Sequence, residues 1–363
     1  MTNQYKPEPM HAASLRTILW ITLAWILMAV AEFGYIYGTA FAMGCPMSAD
    51  QAWIRFATAL LSGSMAGLIG GALIVYVFNY WLRNRPYGKA LLLILGTFTF
   101  VFFGISIVSG FFLHSRELDL PAGHPDVTQA VFSIFYEFDT IRTYMFWFLV
   151  VLVTNITLLV NEKYGPGVFR DFLLGRYFRP RREERIFMFL DLRSSTTIAE
   201  ELGEEPYFRF IQEVFRDVTP AILKNRGQIY QYVGDEIVVS WPLEAGLEQG
   251  RCIACFLDIQ RLLSNRAAYY EGTYGRQPEF KAGLHYGHVM AGEVGIVKRE
   301  IAFSGDVLNT TAWIQSKCNE LGVDLLLSEK LVHALPPAIQ SVARALGALS
   351  LRGKADEVVV YTM

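Results

Sequence analysis

Charge is scarce in this 363-residue chain. Asp, Glu, Lys and Arg make up 18% of it, against 53% hydrophobic residues. Mean hydropathy is positive. That balance excludes an ordinary soluble protein and points to a membrane. A surplus of either sign is also missing: 32 basic against 34 acidic residues leave −2, a balance that by itself says nothing about a nucleic-acid partner; none is expected. Cysteine is sparse at four residues, too few for a disulfide framework. Cys45 stands alone. Cys252 and Cys255 form a C-x-x-C, but their helical spacing with Phe256 and Ile259 reads as core, and no second pair completes a zinc site. No serine or cysteine constellation suggests a covalent nucleophile.

What the chain has instead is four apolar runs in its first half: Thr17 to Ala42, Phe56 to Leu82, Ala90 to Leu113 and Tyr144 to Val160. Each is near the ~20 residues a helix needs to cross a ~30 Å hydrocarbon core. The first is too long for a removable signal peptide, and three more follow. Trp20, Trp53, Trp81 and Trp147 lie near the expected ends, where aromatic belts form. Arg83, Arg85 and Lys89 mark the second loop, and seven basic residues lie between Lys163 and Arg185. Both segments are expected on the cytoplasmic side, with both termini inside. The segments around Cys45 and from His114 to Arg142 are then external. The latter, with His114 and His124, is a metal or ligand candidate or an ordinary solvated loop. Glu32 within the first run is expensive in lipid. It is either a ligand contact or a carboxyl bonded to a neighbour such as Tyr35 or Tyr37.

Composition changes at Asn161, so the expected organisation is a membrane domain over 1–160, a basic aromatic connector over 161–185 and a soluble domain over 186–363. "IFMFLDL" (Ile186 to Leu192) reads as a buried strand ending in an acid. Ser194 or Ser195 is a candidate cap for the next helix. Pro206 to Arg226 has helical apolar spacing and Gly227 as its stop. Gln228 to Val233 and Glu236 to Trp241 read as strands joined by a Gly234-Asp235 hairpin turn. A helix over Leu247 to Leu263, strands over Phe280 to Tyr286 and Val289 to Val294, a helix over Asp306 to Leu321, a strand over Asp324 to Leu327 and two late strands complete the pattern. That is an α+β order: helices on one face of a mainly antiparallel sheet. If the strand of Asp191 neighbours the hairpin, two carboxylates converge at one sheet edge and can hold hard divalent cations. Asp235 is otherwise an ordinary turn residue.

Several segments in order resemble the catalytic domain of the class III adenylyl/guanylyl cyclases: "FMFLDLRSSTTIAEELG", "QIYQYVGDEIVVSW", "FKAGLHYGHVMAGEVG", "REIAFSGDVLNTTAWIQSKCNELG" and "LRGKADEVVVYTM". The likeness runs from about Ile186 to the end. It implies a ferredoxin-like, palm-type cyclase domain with an antiparallel-dominated sheet, here preceded by an all-α bundle of four transmembrane helices. It implies conversion of ATP to cyclic AMP and pyrophosphate by intramolecular attack of the ribose 3′-oxygen on the α-phosphorus, with two Mg²⁺ or Mn²⁺ ions per site. Asp191 and Asp235 would hold the metals. Lys281 would contact adenine, Asn309 would orient the ribose and Arg352 would hold the triphosphate. The site would form between two copies, metals from one and base and ribose residues from the other, as a homodimer or a heterodimer. The resemblance also suggests the cytoplasmic face of a bacterial inner membrane.

Two positions depart from the family pattern. Trp313 stands where a transition-state arginine is usual, four residues after Asn309; Lys317, one turn on, is a possible substitute. Ala302 stands at the second purine-reading position and could read a base only through its backbone. A catalytically weakened, nucleotide-binding regulatory partner is therefore the alternative to a working adenylyl cyclase. A diguanylate cyclase is disfavoured, because "VGDEI" is not that family's turn. The connector stripe Phe169, Phe172, Leu173 and Tyr177, set among basic residues, could pair with its mate or lie on anionic membrane lipid.

Overall fold

The computed structural model describes residues 8–76, 87–164, 174–297, 299–350 and 357–363, with side chains at 8–14, 87, 90, 134 and 161–164 excepted. The residues fall into two compact units, Met1–Glu162 and Lys163–Met363.

The first unit is helical: α1 (Glu8–Ala42), α2 (Ala49–Tyr76), α3 (Tyr87–Glu117), the short α4 (Pro125–Ser133) and α5 (Phe138–Tyr164). Four stretches are long and apolar enough to cross a membrane: Leu15–Ala42, Ala49–Tyr76, Leu91–Glu117 and Phe138–Val160. α1 and α2 touch closely because α2 presents glycines at four-residue spacing. A Cβ on Gly63 would lie 2.8 Å from Ala29 Cβ, and one on Gly67 only 2.6 Å from Thr22 Cα. Small residues of this kind let apolar helices approach without a hydrophobic drive. α5 meets its neighbours through large side chains instead. Trp147 packs edge-on against Trp25 at 6.0 Å, and the Tyr144 and Thr99 hydroxyls bond at 2.8 Å.

Three expectations change here. Trp147 is buried in the bundle rather than placed in an aromatic belt. The His114–Arg142 segment is not a plain loop, since α4 lies within it and buries Val127 and Val131 completely. Glu32 is bonded to neither Tyr35 nor Tyr37: Trp147 Nε1 donates to Glu32 Oε2 at 3.0 Å, and both tyrosines are exposed. Trp81, Arg83, Arg85 and connector residues Phe169, Phe172 and Leu173 lie outside the described residues.

The second unit runs β1 (Arg181–Leu192), α6 (Ser195–Leu202), α7 (Glu204–Lys224), β2 (Gln228–Val233), β3 (Glu236–Pro242), α8 (Leu243–Leu247), α9 (Arg251–Asn265), α10 (Ala267–Tyr274), β4 (Phe280–Val294), β5 (Glu300–Ser304), α11 (Asp306–Ser316), α12 (Cys318–Leu321), β6 (Leu325–Ser328), α13 (Glu329–Ala334), α14 (Pro337–Gln340), β7 (Arg344–Ser350) and β8 (Glu357–Thr362). The strands form one sheet in the order β2-β3-β1-β4-β6-β8-β7, with β5 beside the far half of β4. The β4–β6 pairing is parallel and the others are antiparallel.

β1 alternates. Ile186, Met188 and Leu190 pack under α7 and α9 with Phe210, Val214, Ile222, Phe256 and Ile259. Phe187 and Phe189 point the other way and meet Val307 of α11. Helices therefore cover both faces, against the one-face expectation, because both sides of β1 are apolar and each needs a cover. β1 also starts five residues early, at Arg181. Its charged "RREER" segment carries no strand-like composition, yet it pairs with the second half of β4. That half belongs to one continuous 15-residue strand, not two. Two expected helices are broken. Gln249 and Gly250 adopt left-handed φ between α8 and α9, and α11 ends at Ser316, with Lys317 as its C-cap. Ser194 sits at the α6 N-cap position but makes no capping bond, since its own backbone is left-handed. Gly227 follows α7 as expected, and a Cβ there would meet Ile222, Val239 and Trp241 within 2.9 Å. Cys252 and Cys255 are buried core.

Candidate active site

The hairpin forms as its turn residues dictate: Gly234 takes φ +62°, which glycine tolerates at no steric cost. Its return strand pairs with β1 so that Glu236, the residue after the turn, lies opposite Asp191. On the other side of β1, Asp191 lies opposite Lys281 of β4. Cross-strand partners share a face. Three charged residues from three adjacent strands thus meet at one point of the sheet, beside the Asp235 turn.

The contacts are specific. Lys281 Nζ lies 2.9 Å from Asp191 Oδ2. Gln315 Nε2 of α11 donates to the same oxygen at 2.9 Å. Gln315 can reach it because Gly283 leaves room: a Cβ there would lie 2.4 Å from the Gln315 backbone nitrogen. Burial raises the Asp191 carboxyl above its ordinary range, the Lys281 bond and charge oppose this, and the Asp235 charge adds to it. Burial pushes Glu236 up to about 7, helped by the charges of Asp191 and Asp235 and opposed by Lys281. Burial and the Asp235 charge also raise the Tyr207 phenol, so Tyr207 faces the acids as a neutral group. On the flank, Arg193 follows β1 and ties its guanidinium to Asp324, Asn319 and the Val323 carbonyl, which anchors the strand end that carries Asp191.

Asp191 and Asp235 therefore come to one edge, as their places at strand end and turn imply. Among the described residues no three His, Cys, Asp or Glu side chains converge as a metal cage. A pair of carboxylates still suits Mg²⁺ or Mn²⁺, which keep several waters and bind through one or two carboxylates plus phosphate oxygens. The Lys281 ammonium already marks this edge as a place that favours positive charge.

Other expected residues are placed differently. Ala302 pairs with Gly292, eleven residues beyond Lys281 on β4. At about 3.3 Å per residue that is roughly 35 Å along the strand. Lys281 and Ala302 of one chain cannot touch one base, so the expectation that both read the purine from the same protomer is corrected: Lys281 belongs to the carboxylate edge. Asn309 is exposed on α11. Trp313, one turn on, is half-buried and packs with Ile314, Cys318, Leu326 and Val360. Lys317 pairs with Glu320 at 2.5 Å and lies 5.9 Å from the Trp313 ring. Arg352 lies outside the described residues. Glu236, Gln315 and Tyr207 were not legible as site residues. Only the acid of Glu236, beside Asp235, carried any signal.

Residues 179–363 match the family described as the adenylate and guanylate cyclase catalytic domain. Among known proteins, the chain is 34% identical over 206 residues to adenylate cyclase 2 of Rhizobium meliloti (strain 1021), covering 57% of each. It is 25% identical over 187 residues to adenylate cyclase 1 of the same organism, covering 50% of this chain and 27% of that one. The matched region thus spans little more than half of the first relative and about a quarter of the second. A solved bacterial light-regulated adenylyl cyclase shares the fold at TM-score 0.51 and 22% identity, over 62% of this chain and 65% of that one.

Proposed function

The chain belongs to the adenylate and guanylate cyclase catalytic domain family through residues 179–363, and on that premise we propose that it is a membrane-bound adenylyl cyclase converting ATP to 3′,5′-cyclic AMP and pyrophosphate. The observation that carries this reading is the meeting of Asp191, Lys281 and Glu236 across three strands beside the Asp235 turn. The substrate follows the relatives named as adenylate cyclases. Four apolar helices ahead of the domain support membrane attachment, and both termini and the catalytic unit would face the cytoplasm.

In this reading Asp191 and Asp235 would hold two Mg²⁺ or Mn²⁺ ions. When bound, these would activate the attacking 3′-oxygen and neutralise the leaving pyrophosphate. The protein's own task is positioning and charge. Burial of the edge limits water and strengthens each electrostatic contact. Lys281 neutralises Asp191 in the metal-free protein, and Gln315 holds that carboxylate still. Asn309 orients the ribose from a second copy of the chain, Arg352 binds the triphosphate, and a homodimer carries two equivalent sites. Trp313 has no charge to give a transition state, and the Lys317 ammonium is tied to Glu320. These two facts favour a second reading, a slow or weakened cyclase domain that binds nucleotide as a regulatory partner.

The test is the full chain in detergent, with ATP and Mn²⁺, assayed for cyclic AMP beside Asp235→Asn and with GTP as control. The expected result is ATP-dependent product lowered at least about 10²-fold by the substitution. Product insensitive to Asp235→Asn, or cyclic GMP made in preference, overturns the reading.

A further inference from the structure

The four long helices of the first unit line an open-sided cavity of about 390 Å³. That is within the ~300–1,000 Å³ of small-molecule pockets. Its walls are mostly aliphatic and aromatic, with Ile74, Ile94, Phe98 and Ile105 among them. Two buried polar atoms of residues on its wall have no hydrogen-bond partner. Ser109 is 6% exposed and its Oγ is unbonded; Glu32 Oε1 is also buried and unbonded. The other Glu32 oxygen is taken by Trp147 Nε1, and Arg142 and Thr143 are its next polar neighbours. Thr58, Ser62 and Thr97, which share the wall, all return their hydroxyls to carbonyls of their own helices. Ser109 does not.

These groups lie at one depth. Glu32 is ten residues from the end of α1, Ser109 eight from the end of α3, and Trp147 nine from the start of α5. At 1.5 Å per residue all three sit about 12–15 Å from the same end of the bundle. The rim at that end carries Arg55, His114, Asp139 and Arg142. Arg55 is paired with Glu117, and Arg142 with Asp139. The charges of the mouth thus have partners, while Glu32 Oε1 and Ser109 Oγ beneath it lack them. A buried acceptor left without a donor in an apolar setting is unfavourable.

We propose that this cavity binds a small amphiphile whose head carries a hydroxyl. The head donates to Glu32 Oε1 and accepts from Ser109 Oγ, and an apolar body fills the space lined by Ile74, Ile94, Phe98 and Ile105. The carboxylate calls for a donor, the serine completes a donor–acceptor pair, and the walls exclude a wholly polar ligand.

The full chain in lipid nanodiscs would be photolabelled with a diazirine-bearing decanol and mapped by mass spectrometry. The proposal expects saturable labelling in the 91–117 and 138–151 segments, displaced by excess 1-decanol. Ser109→Phe, which fills the space, abolishes it. Ser109→Ala and Glu32→Leu each weaken apparent affinity by about five- to tenfold. Ser109→Ala keeps the helix and so separates loss of the site from loss of the fold. Labelling that does not saturate, that is matched by a diazirine-bearing decane without a hydroxyl, or that is indifferent to Ser109→Ala and Glu32→Leu shows a lipid-filled gap and overturns the proposal.

Discussion

Lys281 of β4 sits directly across β1 from Glu236 of β3, with Asp191 between them, and its ammonium lies 2.9 Å from the Asp191 carboxylate. One cation thus serves a cluster of acids that would otherwise repel one another. A metal ion entering this edge competes with Lys281 for Asp191. Lys281→Met should therefore raise the apparent affinity for Mn²⁺ by about three- to tenfold, while the uncompensated acids lower the melting temperature of the metal-free protein. Calorimetric titration of the full chain checks this. Unchanged Mn²⁺ affinity would show that Lys281 does not compete.

Glu236 gives a pH signature in metal-free protein. Its folded-state value of about 7, caused first by burial and then by Asp191 and Asp235, lies above the ordinary glutamate value of 4.5. A raised acid favours folding fully below the unfolded value and loses that contribution as pH rises through the folded one. In EDTA, wild type and Glu236→Gln should melt together below about pH 4.5. Between there and about pH 7 the wild type should fall behind, by a few degrees at most because the group is partly solvated. Parallel melting curves over that range would mean Glu236 is not strained.

Trp313 decides between a working and a weakened enzyme. Arginine there would restore a charge one helical turn from Asn309, and such a charge is worth about 10² to 10³ in rate. Trp313→Arg is expected to raise turnover toward that range while loosening the packing with Leu326 and Val360. Turnover that falls would mean that tryptophan is part of a site already adapted to it.

Gly283→Ala probes the seat of Gln315. The added methyl would sit 2.4 Å from the Gln315 nitrogen and 2.7 Å from its Cα, both backbone atoms that cannot rotate away. α11 must shift, at a cost of about 1–3 kcal/mol, and Asp191 loses its amide donor. Lower melting temperature and lower turnover should appear together. Gln315→Leu, which keeps the helix seated, should lower turnover with a smaller loss of stability.

The cysteines should behave unequally. Burial pushes the Cys252 and Cys318 thiols up to about 12, and Cys255 higher still. At pH 8 none of them offers thiolate, whereas Cys45 is exposed. Native protein should take one iodoacetamide adduct and denatured protein four. Fast modification of Cys252 or Cys255 in native protein would revive a redox role for the C-x-x-C.

Much of this molecule depends on properties that each short stretch carries by itself, and those parts were legible. Four runs of apolar residues have the length of a bilayer whatever surrounds them. Gly234-Asp235 turns the chain because glycine accepts positive φ, and "IFMFLDL" must be buried because it has no polar face. Asp191 and Asp235 follow as acids at a strand end and a turn. Tertiary structure decided what those acids meet. Strand register is a long-range choice, and it alone put Glu236 and Lys281 on either side of Asp191 and separated Lys281 from Ala302. "RREER" became strand because β4 runs long enough to pair with it, not because of its own residues. Gln315 reaches Asp191 only because Gly283, thirty-two positions away, leaves a gap the width of a methyl group. In the bundle, Glu32 could be seen as costly from sequence, but which atom would answer it was settled by the packing of α5, which brought Trp147 to one carboxylate oxygen and left the other buried without a hydrogen-bond partner.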